Sequence, residues 1–229
     1  MFHQILLETI ENTATYLDPI GLFPFTSDAA DSLNPSNSFT NNGSIGFTTT
    51  DGFACAGPIN ANQVFSKPAL FYEYVNGIQK WALSVDVYIT AYNAAGGYVG
   101  FILNGQVQLP SEQYQSLTIK GIGGPSGEGT HGYQNNGVGG LIAGRTVPLD
   151  EWVNVTAMAG TGGIKLYINR ELVASNLTKT GYYDISTGVS TLFDIGNHSV
   201  FLGCGFNIIG YIKRLRFYDG TDNIADIEP

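Results

Sequence analysis

Strict alternation of apolar and polar residues marks two stretches on either side of a glycine-rich turn. Val153, Val155 and Ala157 alternate with Trp152, Asn154 and Thr156; beyond Gly160-Thr161-Gly162-Gly163, Ile164, Leu166 and Ile168 alternate with Lys165, Tyr167 and Asn169. A period of two on both sides of such a turn predicts a β-hairpin with one face for the core. A hairpin of this kind is unstable alone, so the rest of the chain must supply an opposing sheet. Trp81 to Ala91 carries the clearest central-strand pattern. There Trp81, Leu83, Val85, Val87 and Ile89 share the core face, and Ala82, Ser84, Asp86, Tyr88 and Thr90 share the other. The last strand is expected from Tyr211 to Tyr218, in a Phe201–Tyr218 block that answers the hairpin. Ile212 and Leu215 lie three apart in it, whereas Leu215 and Phe217 lie two apart. If all three are core, an extra residue sits at Lys213-Arg214, which predicts a β-bulge.

Weaker signals fill in the rest. Short strands are expected around Phe39, Ile45 and Phe47, and a strand broken at Pro58 between Phe53 and Phe65. Tyr98–Leu103 and Gln106–Leu109 flank Asn104-Gly105, the preferred type I′ pair, and predict a second hairpin. Ser116–Lys120 adds a short strand. Residues 121–144 are a long glycine-rich segment of the kind that is usually functional or mobile. Val173 to Leu192 is expected to be a polar connection. Residues 1–16 differ: Phe2, Ile5, Leu6 and Ile10 suit a short amphipathic helix whose apolar face needs a partner, either the domain itself or a neighbouring assembly. The expected division is a 1–21 extension, a candidate docking segment, followed by one domain over 22–229.

Composition supports the strand reading. The 229 residues include 30 Gly, 13 Tyr and 13 Phe, and a chain this long can bury a core without disulfide or metal. A net charge of −9 argues against nucleic acid and against anionic membrane. Lys213, Arg214 and Arg216 form the one basic cluster; a solvated strand edge that resists edge-to-edge pairing is its simplest role, a phosphate site the sharper one. Cys55 and Cys204 could pair or stay as two buried thiols, and spacing does not choose. No apolar run approaches a membrane span, and the first residues lack the basic and apolar regions of a secretory signal.

Several of these stretches resemble a known family. Glu151-Trp-Val-Asn-Val-Thr-Ala157, Ile164-Lys-Leu-Tyr-Ile-Asn-Arg-Glu-Leu-Val-Ala-Ser175 and Gly210-Tyr-Ile-Lys-Arg-Leu-Arg-Phe-Tyr-Asp219 look like the closing strands of laminin-G-like, concanavalin A-like lectin/glucanase domains. Leu22–Ser32, Gly52–Ala61 and Trp81–Ile89 resemble the earlier blocks, in family order. The resemblance implies an all-β, two-sheet antiparallel jelly-roll sandwich. Asn169-Arg170 stands where the family usually has Asn/Asp-Gly, which leaves the turn type open. Relatives often bind calcium through loop Asp and Asn oxygens, so the resemblance makes Asp28, Asp31 and Asp51 metal candidates. Asx turns are the commoner role for loop Asp.

Retaining glycoside hydrolysis needs two carboxyls about 5–5.5 Å apart. The family's hydrolases carry theirs as Glu-x-Asp-x-(x)-Glu on one strand, and no such run occurs. Gly127–Gly132 matches GxGxxG without the βαβ context that gives the motif meaning. What remains is the non-core sheet face. Asp86, Tyr88, Trp152, Asn154, Lys165 and Tyr167 all point that way, and rings beside amide and carboxylate groups suit a glycan or protein surface. Cover by the 121–144 segment is the competing expectation. The expected protein is therefore a non-enzymatic binding or structural module. Because it starts at its own Met without a secretion signal, a virion component such as a bacteriophage decoration, head-fibre or tail protein is the first reading. There residues 1–21 would dock to other virion proteins. A secreted carbohydrate-binding lectin module is the second reading, and a polysaccharide-degrading enzyme the third. Homo-oligomer formation is compatible with any of them.

Overall fold

The computed structural model describes residues 15–42, 46–48, 50–55, 64–66, 74, 78–92, 100–108, 114–121, 147–178, 190–195 and 208–229. Thirteen strands run through these segments and form two antiparallel sheets. The larger, eight-stranded sheet orders β11 (Glu171–Asn176), β10 (Gly163–Ile168), β9 (Trp152–Gly160), β6 (Trp81–Tyr92), β13 (Ile208–Asp219), β4 (Gly52–Cys55) and β3 (Phe47–Thr48). β1 (Gly21–Phe23) pairs with the second half of β13, beyond the stretch that pairs with β4. The smaller sheet orders β2 (Thr40–Asn42), β5 (Val64–Ser66), β12 (Ser190–Ile195), β7 (Gly100–Gln108) and β8 (Tyr114–Gly121). The fold is the all-β, two-sheet antiparallel sandwich that the alternation demands.

The core lies on the face that alternation assigned. Leu83, Val85, Val87 and Ile89 of β6 meet Val153, Val155 and Ala157 of β9, Ile164, Leu166 and Ile168 of β10, and Ile212, Leu215 and Phe217 of β13; all are buried. Ile195 of β12 joins the same cluster from the smaller sheet. An aromatic group closes one end. Phe23 meets Phe39 edge-on at 5.0 Å, and Tyr74 stacks on Phe217 at 4.7 Å.

The predicted bulge is present. Lys213 pairs with Asp86 but Arg216 with Ser84, so β13 carries one residue more than β6 over this interval. Arg214 takes the strain, with φ of 50°. The β9–β10 hairpin also forms as expected, Gly160 opposite Gly163. At the next turn, Ile168 pairs with Glu171, and Asn169 and Arg170 have φ of 48° and 66°. Both values are positive, which is the type I′ requirement, met here without glycine.

Four expectations are corrected. Asn104-Gly105 is not a turn: β7 runs through it, with Asn104 paired to Asp194 on one side and Thr118 on the other. Two ladders satisfy the backbone there, and that outweighs local turn preference. The 173–192 connection includes the end of β11 and the start of β12; β11 is an edge strand whose exposed Leu172 hides its period. The opening hairpin does not pair with β13, because β6 lies between them. The basic cluster is not on an edge, since β13 has β6 on one side and β1 and β4 on the other. Residues 1–14 of the expected 1–16 helix, Ile45, the Pro58 break, residues 122–144 of the glycine-rich segment, Tyr98–Val99, Phe201–Asn207 and with them Cys204, hence the Cys55–Cys204 question, lie outside the described residues. Of the N-terminal stretch, Leu17 donates its amide to the Asp226 carbonyl at 2.7 Å and Ile20 to Phe217 at 2.8 Å.

Candidate functional site

The outer face of the larger sheet is built in rows, because directly opposed residues on antiparallel strands share a side. One row is aromatic: Trp152 of β9 opposes Tyr88 of β6, which opposes Tyr211 of β13. Their ring centroids lie 5.8 Å and 6.2 Å apart in turn. The next row is ionic, with Asn154, Asp86 and Lys213 side by side. The third holds Thr156, Ser84 and Arg216. The fourth, Met158, Ala82 and Tyr218, is apolar apart from the tyrosine hydroxyl.

Asp86 is the hub of the ionic row, and it is 4% exposed. Its Oδ2 accepts from Arg214 Nε in a short ion pair. Its Oδ1 accepts from Asn154 Nδ2 at 2.8 Å and lies 3.8 Å from Arg216 Nη2. The bulge brings Arg214 here. An extra residue re-aims the strand, so Lys213 and Arg214 both leave on the outer side before Leu215 returns to the core. Lys213 places its ammonium 3.7 Å above the Trp152 ring centre and donates to the Thr50 carbonyl at 3.1 Å. Asn169, at the β10–β11 turn, accepts the Asn154 amide at 2.9 Å. Together Asp86, Trp152, Val153, Asn154, Asn169, Arg170, Lys213, Arg214 and Pro229 line a cavity of about 470 Å³.

Four of the six residues expected to bind a ligand therefore meet here: Asp86, Trp152 and Asn154 line the cavity, and Tyr88 packs against Trp152. Lys165 and Tyr167 do not join them. Residues 219–229 cross that half of the face as a strap. Ile227 is buried with Ala82, Met158, Tyr167 and Tyr218, and Tyr167 is only 8% exposed. Burial, with the Asp222 charge second, pushes the Tyr167 phenol pKa up. Lys165 donates to the Asp222 carbonyl at 3.0 Å. Sequence reasoning left Arg214, Lys213, Asn169 and Arg170 out of the ligand-binding face, although it weighed the first two in a basic cluster. The first two were accessible from the bulge signal itself, because an offset between core positions implies successive outward side chains.

The three metal candidates are not gathered. Asp31 is buried, accepts the Leu22 and Leu33 amides at 2.9 Å each, and takes the Tyr74 hydroxyl. Asp28 accepts the Ala30 amide at 3.0 Å in an Asx-type turn, and Asp51 accepts from Thr50 at 3.0 Å. No group of three or more His, Cys, Asp or Glu able to hold a metal occurs among the described residues.

No family model matches the chain, and no curated protein sequence matches it either. Solved structures do. Trypanosoma rangeli sialidase, in complex with 2,3-difluorosialic acid, superposes with a TM-score of 0.61 at 11% identity, over 91% of this chain and 31% of the sialidase. Domain 4 of AbnA, a GH43 extracellular arabinanase from Geobacillus stearothermophilus solved with arabinotriose, gives a TM-score of 0.52 at 17% identity, over 92% of this chain and 97% of that domain. At these identities the likeness is one of fold. The chain spans about a third of the sialidase.

The strap is clamped from two sides. Arg170 donates to the carbonyls of Ile224 and Ile227 at 2.8 Å each, and Asp222 accepts the Gly162 amide at 3.1 Å. Arg170→Ala should lower stability by about 1.5–3 kcal/mol, the range for hydrogen bonds to a charged group. Hydrogen exchange should accelerate first at 222–228; unchanged protection there would show that the guanidinium does not hold the strap. Burial alone would raise the Asp222 carboxyl pKa, but the Gly162 amide, Lys80 and Lys165 outweigh it and hold the group below 3.8. A depressed carboxylate stabilises the fold above its unfolded pKa, and that contribution disappears as pH falls through the folded value. The strap should thus hold at neutral pH and loosen only in acid. A Gly162 amide resonance titrating with a midpoint above 3.8 would contradict the assignment.

Proposed function

We propose that this chain is a non-enzymatic carbohydrate-binding module with a concanavalin A-like, laminin-G-like fold, and that it holds its glycan in the outer-face cavity. The cavity carries the reading. About 470 Å³ of space beside a partly buried tryptophan, with amide and charged groups converging on it, has the size and lining of a small-ligand site. The neighbours add weight: a domain matching nearly the whole chain was solved with arabinotriose. The lining residues favour binding over hydrolysis. Among the described lining residues Asp86 is the one side-chain carboxylate, and it is held by Arg214, Asn154 and Arg216, which speaks against the two-carboxyl route of glycoside hydrolysis.

The module would meet its polysaccharide outside a cell, over a domain of 22–229. The virion reading rested on residues 1–21 and on the first Met; neighbours of this fold give it no support, and the carbohydrate reading replaces it. A glycan array followed by calorimetry on the best ligand is the direct test. Trp152→Ala should weaken binding by about 10- to 100-fold, the loss typical of an aromatic anchor. Silence across neutral and acidic glycans would sink the proposal, and full affinity in the variant would move the site elsewhere.

A further inference from the structure

The hydrogen-bonding state of the cavity wall narrows the ligand class. Every side-chain acceptor oxygen on it already has a donor from the protein, whereas several donors have no acceptor. Asp86 accepts on both oxygens, Asn154 Oδ1 takes the Thr156 hydroxyl at 2.8 Å, and Asn169 Oδ1 takes the Asn154 amide. The donors are not used up. Among the described residues, the Trp152 indole N–H, the Asn169 side-chain NH₂ and both terminal nitrogens of Arg214 make no hydrogen bond within the protein. Lys213 gives one bond to a neutral carbonyl and rests on a ring, and Arg170 gives its bonds to two neutral carbonyls. A neutral sugar hydroxyl needs acceptors as well as donors. A carboxylate accepts only.

Charge points the same way. Arg170, Lys213, Arg214 and the buried Arg216 gather at this site, and among the described residues the side-chain carboxylates that pair with them are Asp86 and Glu228. They are four of the ten Lys and Arg in a chain of net charge −9, so the cations are concentrated where the cavity is. Arg216 is 2% exposed, and its Nε has no partner, so part of this charge sits in a poorly screened place. We propose that the cavity selects acidic saccharides, with a sugar carboxylate seated between Lys213 and the terminal nitrogens of Arg214. The planar fork of Arg214 suits a carboxylate bidentately, and Lys213 supplies a second, compact charge. This inference rests on the carbohydrate-binding reading and adds the ligand's charge to it.

The test is calorimetry on the whole chain with three probes: an oligogalacturonide, an oligosaccharide ending in a ulosonic acid, and the oligogalacturonide after carboxyl reduction to the neutral sugar. Binding of one acidic probe, weakened about 10- to 100-fold by removal of its carboxylates, is expected. The two acidic arms separate uronate from ulosonate as the source of the charge. Raising salt should weaken the acidic complex and leave any neutral one unmoved. Lys213→Met keeps the aliphatic stem over Trp152 and should abolish most of the acidic preference; Arg214→Met should do the same and serves as a second variant if one misfolds. Equal affinity for the acidic and reduced probes would overturn the inference and leave the module a glycan binder. Binding of none of the three, with a neutral glycan bound elsewhere on an array, would overturn it too. Binding of no saccharide at all would remove the broader reading with it.

Discussion

Asp86→Ala is expected to lower the unfolding free energy by about 3–5 kcal/mol, the usual loss when one partner of a buried ion pair is removed. Asp86 and Arg216 are 4% and 2% exposed, so without the carboxylate a guanidinium is left in the interior. Glu228 remains 3.2 Å from Arg216, but its side chain is 61% exposed and compensates weakly. Arg214 matters less to this balance, because it is 48% exposed and water can replace its partner. Each kcal/mol should appear as roughly 2–4 °C in Tm for a chain of this size. Asp86→Asn keeps the shape and should separate the charge from the packing. A loss under about 1 kcal/mol for Asp86→Ala on urea unfolding would mean that Glu228 and solvent satisfy Arg216 without it.

Gly210→Ala should be comparably severe. Gly210 has φ of +151°, and a Cβ there would stand 1.8 Å from the Tyr88 carbonyl oxygen and 3.0 Å from the Ile89 Cα. Both are backbone atoms of the paired strand, so no side chain can swing away. Overpacking and a strained backbone together should cost about 3–5 kcal/mol. The damage reaches the site, because the register shift at Ile209/Gly210 sets how β13 lies along β6, and hence where Tyr211 and Lys213 stand beside Tyr88 and Asp86. Gly220→Ala is the control. Gly220 has φ of +85° but nothing within 4 Å of the added methyl, so only the dihedral strain of about 1 kcal/mol is expected. Equal losses at the two positions would show that the close approach to Tyr88 is not what makes glycine necessary.

The large sheet was legible because its strands alternate without interruption. β6, β9 and β10 bury every second residue against one core, so a register error would turn each of them inside out. The bulge at Lys213-Arg214 was legible for the same reason, from a single break in that period. Asn104-Gly105 was misread because two neighbouring strands, distant in sequence, override the local turn preference. β11 and β12 were missed because they are short, and β11 lies at an edge, where apolar period carries little weight.

The candidate site was legible as a face and not as a cavity. Asp86, Tyr88, Trp152 and Asn154 follow from alternation alone. The fate of Lys165 and Tyr167 depends on residues 219–229, whose two apolar anchors, Ile224 and Ile227, are too few to carry a periodic signal. Arg170 was noted for the glycine it replaces; its role comes from the strap carbonyls that its turn position reaches. The loop aspartates carry no signal that separates an Asx turn from a metal ligand until their partners are seen.

The central claim is that a saccharide occupies the cavity beside Trp152. The chain holds two tryptophans, and they stand in opposite places: Trp81 is 1% exposed in the core, and Trp152 lines the cavity under Lys213. Their two indole N–H resonances can be followed in one nitrogen–proton spectrum as an acidic oligosaccharide is added. The Trp152 signal should move saturably while the Trp81 signal stays still. A bound saccharide, shown by calorimetry, that leaves the Trp152 indole unmoved would contradict the site and the account built on it.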